Sequence, residues 1–167
     1  SESSEKPDNE SMRQGRDLEN YVAERFCEET GLKVRRKNQL LQSIEHPCML
    51  ANIDRMIVGE NVGLECKTAS AYSEVNWEDG KIPEHYQIQC HHYMAVTGAT
   101  AWYIAVVILG RKFKYHRIER DEELIQNLIS MEEYFWNEYV IANKMPDPDG
   151  SKTADEIINQ YFHSSDE

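Results

Sequence analysis

A chain of 167 residues is long enough for one domain with a substantial core and too short for two comfortable ones. Apolar residues make up 40% of it and charged residues 29%, and no apolar run approaches the length of a bilayer-crossing helix, so a membrane partner is not expected. The net charge of −12, from 18 basic and 30 acidic residues, would argue against a nucleic-acid partner if it were evenly spread. It is not: nine of the 18 basic residues fall in two stretches, Lys33, Arg35, Arg36 and Lys37, then Arg111, Lys112, Lys114, Arg117 and Arg120.

Residues 1–10 are polar and acidic and read as a flexible lead-in, leaving residues 11–167 as a single domain. From Met12 to Thr30, Leu18, Val22 and Phe26 recur every four positions and Gly31 supplies a stop, which predicts an amphipathic helix. Short β-like runs follow at Lys33–Asn38, Leu40–Ile44, Cys48–Val58 and Gly63–Thr68, with a turn at Gly59-Glu60-Asn61 between the last two. Ala71 to Ile82 reads as a loop. Pro83 suits the first turn of a helix that runs to about Val96 and closes at Gly98. Ala101–Leu109 is nearly continuous in apolar residues, as a strand covered on both faces would be, and Phe113–Ile118 pairs with it across Gly110. Asp121 is a plausible N-cap for a helix to about Asn143, and a last helix begins near Ser151, after a Pro-Asp-rich breaker. The order argues for an α/β fold of the α+β kind: helices packed on a central mixed sheet.

Asp54 lies inside an otherwise apolar strand, and Glu65 and Lys67 lie two residues apart on the next, where strand periodicity puts them on one face. If those strands pair, two carboxylates and an ammonium group meet at one place, an oxygen-rich site suited to Mg²⁺ or Mn²⁺ with a lysine beside the attacking water. A lone E-x-K on a strand is usually a surface ion pair. Here Ile53, Met56, Ile57, Val62 and Leu64 mark the strands as partly buried, where an unpaired charge is costly and a metal would resolve the cost.

Four segments in order give these residues a resemblance. Met12-Arg13-Gln14-Gly15-Arg16-Asp17-Leu18-Glu19, the Asp54 strand with Glu65-Cys66-Lys67, Gln89 to Gly98, and Ala101-Trp102-Tyr103-Ile104-Ala105 together resemble the phage-type exonucleases of the YqaJ viral recombinase family, which includes lambda exonuclease. That resemblance implies a restriction-endonuclease-like core of the PD-(D/E)XK superfamily. It further implies Mg²⁺ held by Asp54, Glu65 and the Cys66 backbone carbonyl, with Glu19 acting through a second ion or water. Lys67 would position the nucleophilic water. Gln89, preferred to Gln87 for its distance from Val96-Thr97-Gly98, would support it. It also implies 5′-to-3′ digestion of double-stranded DNA, a homotrimer, a single-strand annealing protein as partner, and a phage or prophage origin with action in the cytoplasm of a bacterial host. Family members carry a helical segment ahead of the first motif that helps bind the DNA end; no residue here is assigned to that 5′-phosphate pocket.

The remaining conspicuous residues have plainer readings. Cys27, Cys48, Cys66 and Cys90 show no CxxC spacing and read as reduced thiols; a zinc site at Cys90-His91-His92 is disfavoured because neighbours on a helix point apart. Trp102 and Trp136 read as packing residues, Trp77 is balanced between packing and base stacking, and His85, His91 and His92 read as surface or hydrogen-bonded groups. The two basic stretches are candidate DNA contacts, at Lys33, Arg35, Arg36, Lys37, Arg111, Lys112 and Lys114. Four scattered cysteines, none after Cys90, do not suit an iron–sulfur nuclease of the same superfamily. The competing class is a catalytically idle domain of this fold that acts as an acidic protein-interaction module.

Overall fold

The computed structural model describes residues 8–141. Helix α1 (Glu10–Thr30) is capped by the Asn9 side chain, which accepts from the Met12 amide at 2.8 Å, and it ends on Gly31 in the left-handed region at φ 72°. Strands β1 (Val34–Gln42), β2 (Leu50–Ile57), β3 (Gly63–Ala69), β4 (Ala101–Ile108) and β5 (Lys112–Glu119) form one sheet in that order. Only β3 and β4 run parallel, joined by helix α2 (Glu84–Thr97); every other pair is antiparallel. Helix α3 (Glu122–Phe135), capped by Asp121, passes into a π-helical turn at Trp136–Ile141.

The sheet separates two apolar layers. Val22 and Phe26 of α1 pack on Ile57, Leu64, Cys66, Ala101 and Ala105, and the opposite face packs Cys90 and Met94 of α2 and Ile125 of α3 on Trp102, Ile104, Val106 and Ile108. This explains the unbroken apolar run of β4, which is covered on both sides. It also explains the alternation in β3: Leu64 and Cys66 turn to α1, while Glu65 and Lys67 turn to the face that α2 covers.

Several boundaries differ from the sequence reading. The two runs Lys33–Asn38 and Leu40–Ile44 are one bulged strand, β1. The expected loop at Ala71–Ile82 is mostly 3₁₀-helix, Ala71–Gly80, kinked at Glu78 and Asp79. Its Trp77 is 1% exposed and lies against the Tyr86 ring, so packing is its role rather than base stacking. Trp102 is buried as read, whereas Trp136 is 42% exposed. Pro83 stands just ahead of α2 rather than in its first turn. The regular part of α3 stops at Phe135, and the last helix near Ser151 falls outside the described residues.

Two imidazoles fasten α3. His92 Nε2 donates to the Leu50 carbonyl at 2.7 Å while its Nδ1 lies 2.8 Å from Glu132, and His46 contacts Glu133. With an acceptor at each ring nitrogen, His92 is satisfied only as imidazolium. Burial pulls its pKa down, but the Glu132 and Leu50 contacts outweigh burial and raise it overall. A raised folded-state pKa gives stability that is complete below the unfolded value of about 6.5 and lost as pH rises through the folded one. The unfolding midpoint is therefore expected to fall as pH rises above about 6.5, and His92→Gln to flatten that dependence. Thermal scans across this range check it; equal slopes in both proteins would refute the contribution.

Candidate active site

Strands β2 and β3 meet at Met56, which faces Gly63, and their ladder is no longer than that pair. Two residues further along each strand stand Asp54 and Glu65, so the strands diverge where the carboxylates are. Gly63 is required at the junction, because an added Cβ would lie 1.9 Å from the Trp102 indole. On the other edge of β2, Arg36 faces Arg55 and Gln39 faces Ile53, so Lys37 and Asn38 together oppose Asp54. This is a β-bulge, with Asn38 at φ 44°, a conformation asparagine tolerates better than most residues. Bulges bend and twist a strand pair, and this one does so opposite the first acidic residue of the site.

Lys67 Nζ lies 3.1 Å from a Glu65 carboxylate oxygen, and their side chains are 25% and 14% exposed. From α2, Tyr93 hydrogen-bonds Glu65 and the Tyr86 ring lies 5.0 Å from the Lys67 ammonium. Burial raises the Glu65 pKa, Lys67 and Tyr93 oppose that, and the nearby charge of Asp54 adds to the rise; the net direction is upward. Asp54 thus acts on Glu65 electrostatically while being itself exposed on β2. Burial lowers the Lys67 pKa, but the Glu65 charge and hydrogen bond more than offset it, so Lys67 is held as a cation. Tyr93 is pushed upward by burial and by Glu65, which keeps it a phenol donating to that carboxylate. The Cys66 side chain lies on the opposite face, 4% exposed, and burial pushes its thiol up to about 12. The thiol points away from the face of Glu65 and Lys67, so the backbone carbonyl is the group Cys66 can offer there.

Of the two glutamines, Gln87 donates its side-chain amide to the Ile82 carbonyl at 3.0 Å. Gln89 lies three residues after Tyr86 and four before Tyr93, on the helix face that carries both tyrosines toward Lys67 and Glu65. Glu19 is placed differently. It stands on α1, 3.7 Å from the buried Arg55 guanidinium, although its charge is felt at both Cys66 and Lys67. Among the described residues no group of three or more His, Cys, Asp or Glu lies close enough to enclose a metal. Two carboxylates, Asp54 and Glu65, do fit Mg²⁺ or Mn²⁺, which take few protein oxygens and leave positions for water and phosphate. Of the Cys90-His91-His92 run, Cys90 is buried, His91 is bonded to the Gln87 carbonyl and the Asp121 amide, and His92 to the Leu50 carbonyl and Glu132.

The two basic stretches part company. Arg111 and Lys112 both pair with Glu74, Lys114 donates to the Trp77 carbonyl at 2.8 Å, Arg117 pairs with Glu119, and Arg120 with Glu122. Lys33, Arg35 and Lys37 form no ion pair among the described residues. Four further residues escaped the sequence reading: Tyr86 and Tyr93, which frame the charged pair, and Arg55 and Asn20, which join β2 to α1 at 2.8 Å. The available signal was the spacing of Tyr86, Gln89 and Tyr93 on one helix face.

Comparison with known proteins bears on this arrangement. Residues 1–100 match the YqaJ-like viral recombinase domain family. The chain is 46% identical over 147 residues to the uncharacterized protein YqaJ of Bacillus subtilis (strain 168), which covers 87% of this chain and 46% of that protein, so it spans about half the length of that relative. An alkaline exonuclease (LHK-Exo) from Laribacter hongkongensis superposes with a TM-score of 0.67 at 24% identity, over 83% of this chain and 72% of that one. The same coverage and TM-score hold for LHK-Exo in complex with dAMP, at 25% identity. A phage related exonuclease from Haemophilus somnus 129PT shares the fold, with a TM-score of 0.58 at 13% identity over 83% and 76% of the chains.

Proposed function

The chain belongs to the YqaJ-like viral recombinase domain family, and from that premise we propose that it is a metal-dependent deoxyribonuclease, a 5′-to-3′ exonuclease on double-stranded DNA used in phage-type recombination. The observation that carries the reading is the Glu65–Lys67 contact at 3.1 Å beside Asp54, at the point where β2 and β3 diverge. The fold shared with alkaline exonuclease LHK-Exo supports it.

Asp54, Glu65 and the Cys66 carbonyl would hold Mg²⁺ or Mn²⁺, with Glu19 acting through a second ion or water. Such an ion, when bound, lowers the pKa of water and neutralises charge that builds on the phosphate. The protein's own part is positioning. Tyr93 donates to Glu65 and fixes its carboxylate, and the Tyr86 ring backs the Lys67 ammonium on one side. Lys67, paired with Glu65, would orient the attacking water and face the negative charge of the phosphate. Gln89, on the same face of α2 as Tyr86 and Tyr93, would support the water or the metal site. The Lys33–Lys37 stretch, with Lys37 opposite Asp54, supplies phosphate contacts, whereas Arg111, Lys112 and Lys114 are held by Glu74 and Trp77 and contribute less. Partners on this reading are duplex DNA, two further copies in a trimeric ring, and a single-strand annealing protein, in the cytoplasm of a bacterial host.

The test is digestion of linear, 5′-phosphorylated linear and circular duplex DNA. With Mg²⁺ or Mn²⁺, linear DNA is expected to be lost from its ends and circles spared, and light scattering to report three chains. Ca²⁺ should support binding with little cleavage. Intact linear DNA in both metals, or cleavage that persists in excess chelator, would overturn the reading.

A further inference from the structure

Arg36 and Arg55 are directly opposite each other in the β1–β2 register, on the face that α1 covers. Like charges in that relation repel. They are not separated by a carboxylate: both guanidinium groups converge on one neutral oxygen, the Asn20 side-chain carbonyl, with Arg55 donating at 2.8 Å. The Arg55 side chain is 7% exposed, and its nearest acid, Glu19, is half-exposed and 3.7 Å away. A buried charge with so loose a counter-ion is costly unless an anion completes it.

The pair opens onto a groove of about 510 Å³ between α1 and the edge of the sheet. Glu24 and Glu28 also line it, one and two helical turns beyond Asn20, but neither pairs with either arginine among the described residues. The groove is therefore cationic at its Asn20 end only. That end lies on the α1 face of the sheet, opposite the face that carries Glu65 and Lys67, and Arg55 is the residue after Asp54 on β2.

We propose that Arg36, Arg55 and Asn20 form a second anion site that holds a non-reacting backbone phosphate of the DNA. Two planar guanidinium groups with donors to spare suit the tetrahedral array of phosphate oxygens, and the Asn20 amide nitrogen offers another donor. The site rests on the DNA-binding part of the function proposed above but not on cleavage.

Binding measured in an Asp54→Asn background with Mg²⁺ present separates the two. The probes are a duplex with 5′-hydroxyl ends, the same duplex with 5′-phosphate ends, and a closed circle, each titrated over a range of salt. Arg36→Gln, at an exposed position that tolerates change, is expected to weaken binding to all three about 5- to 20-fold and to reduce the log–log salt slope by about 0.9. Arg36→Lys should keep the slope and recover only part of the affinity, because one point charge replaces a fork. Asn20→Ala should act in the same direction as Arg36→Gln. Unchanged affinity and slope in Arg36→Gln would overturn the site and leave the nuclease reading intact. A loss confined to 5′-phosphorylated ends would also overturn it, in favour of a terminal phosphate. A chain that binds DNA with the expected Arg36 dependence but cuts none in Mg²⁺ or Mn²⁺ would sustain the site and sink the nuclease reading.

Discussion

Asp54→Asn is expected to reduce metal-dependent DNA cleavage at least about a thousandfold while leaving the unfolding midpoint unchanged or slightly raised. The two halves of that expectation have separate causes. Asp54 is exposed on β2 and makes no ion pair among the described residues, so its charge contributes little to holding the fold. It does act on Glu65, whose ionisation it opposes, so removing it relieves a like-charge contact. Cleavage differs because a carboxylate oxygen aimed at the reacting centre is replaced by a neutral amide, which neither neutralises a divalent ion nor stabilises developing charge; single electrostatic groups of this kind carry roughly 10²–10³ in rate, and a metal ligand carries more. Cleavage rates at saturating Mg²⁺, set beside thermal unfolding of both proteins, make the comparison. Activity within tenfold of the parent would remove Asp54 from the site, and a collapse of the fold would make it structural.

How far the sequence could be read depended on whether the cause was local. The helix at Glu10–Thr30 was legible because Leu18, Val22 and Phe26 keep one spacing and Gly31 ends it. The buried strand at Ala101–Ile108 was legible because both its faces meet apolar layers. Asp54, Glu65 and Lys67 could be picked out because charge inside apolar strands is rare, and the structure does bring Glu65 and Lys67 into contact. The bulge opposite Asp54 was not legible, since nothing in Arg36-Lys37-Asn38-Gln39 declares a two-against-one pairing; it read instead as a break between two strands. The 3₁₀ segment at Ala71–Gly80 has no apolar period, and its order comes from Trp77 packing on Tyr86 and from Glu74 meeting Arg111 and Lys112. Those same long-range contacts decide which basic stretch stays available. Sequence clustering treats Lys33–Lys37 and Arg111–Arg120 alike, while the fold brings carboxylates to the second and leaves Lys33, Arg35 and Lys37 without them among the described residues. Tyr93 was missed for a similar reason, because its hydrogen bond to Glu65 joins a helix to a strand 28 positions earlier.

Lys67→Met should have the next largest effect, a loss of about 10²–10⁴ in kcat at saturating DNA and Mg²⁺, with DNA affinity altered only a few-fold. Methionine keeps most of the unbranched stem and removes the ammonium, which is the part that meets Glu65 and lies 5.0 Å from the Tyr86 ring. On the proposed reading Lys67 orients water and offsets negative charge in the transition state, so its loss lowers kcat more than it changes binding. Lys67→Arg is expected to fall close to the methionine variant rather than to the parent. The ammonium is enclosed by the Glu65 carboxylate and the Tyr86 ring, 3.1 Å and 5.0 Å away, and a planar guanidinium cannot place a single point charge in that space. Full activity in Lys67→Arg would show that only positive charge is needed, and full activity in Lys67→Met would remove Lys67 from the reaction altogether. A rise in KM with kcat preserved would instead make Lys67 a binding group for the ground state, and the water would then have to be positioned from α2, where Gln89 shares the face of Tyr86 and Tyr93.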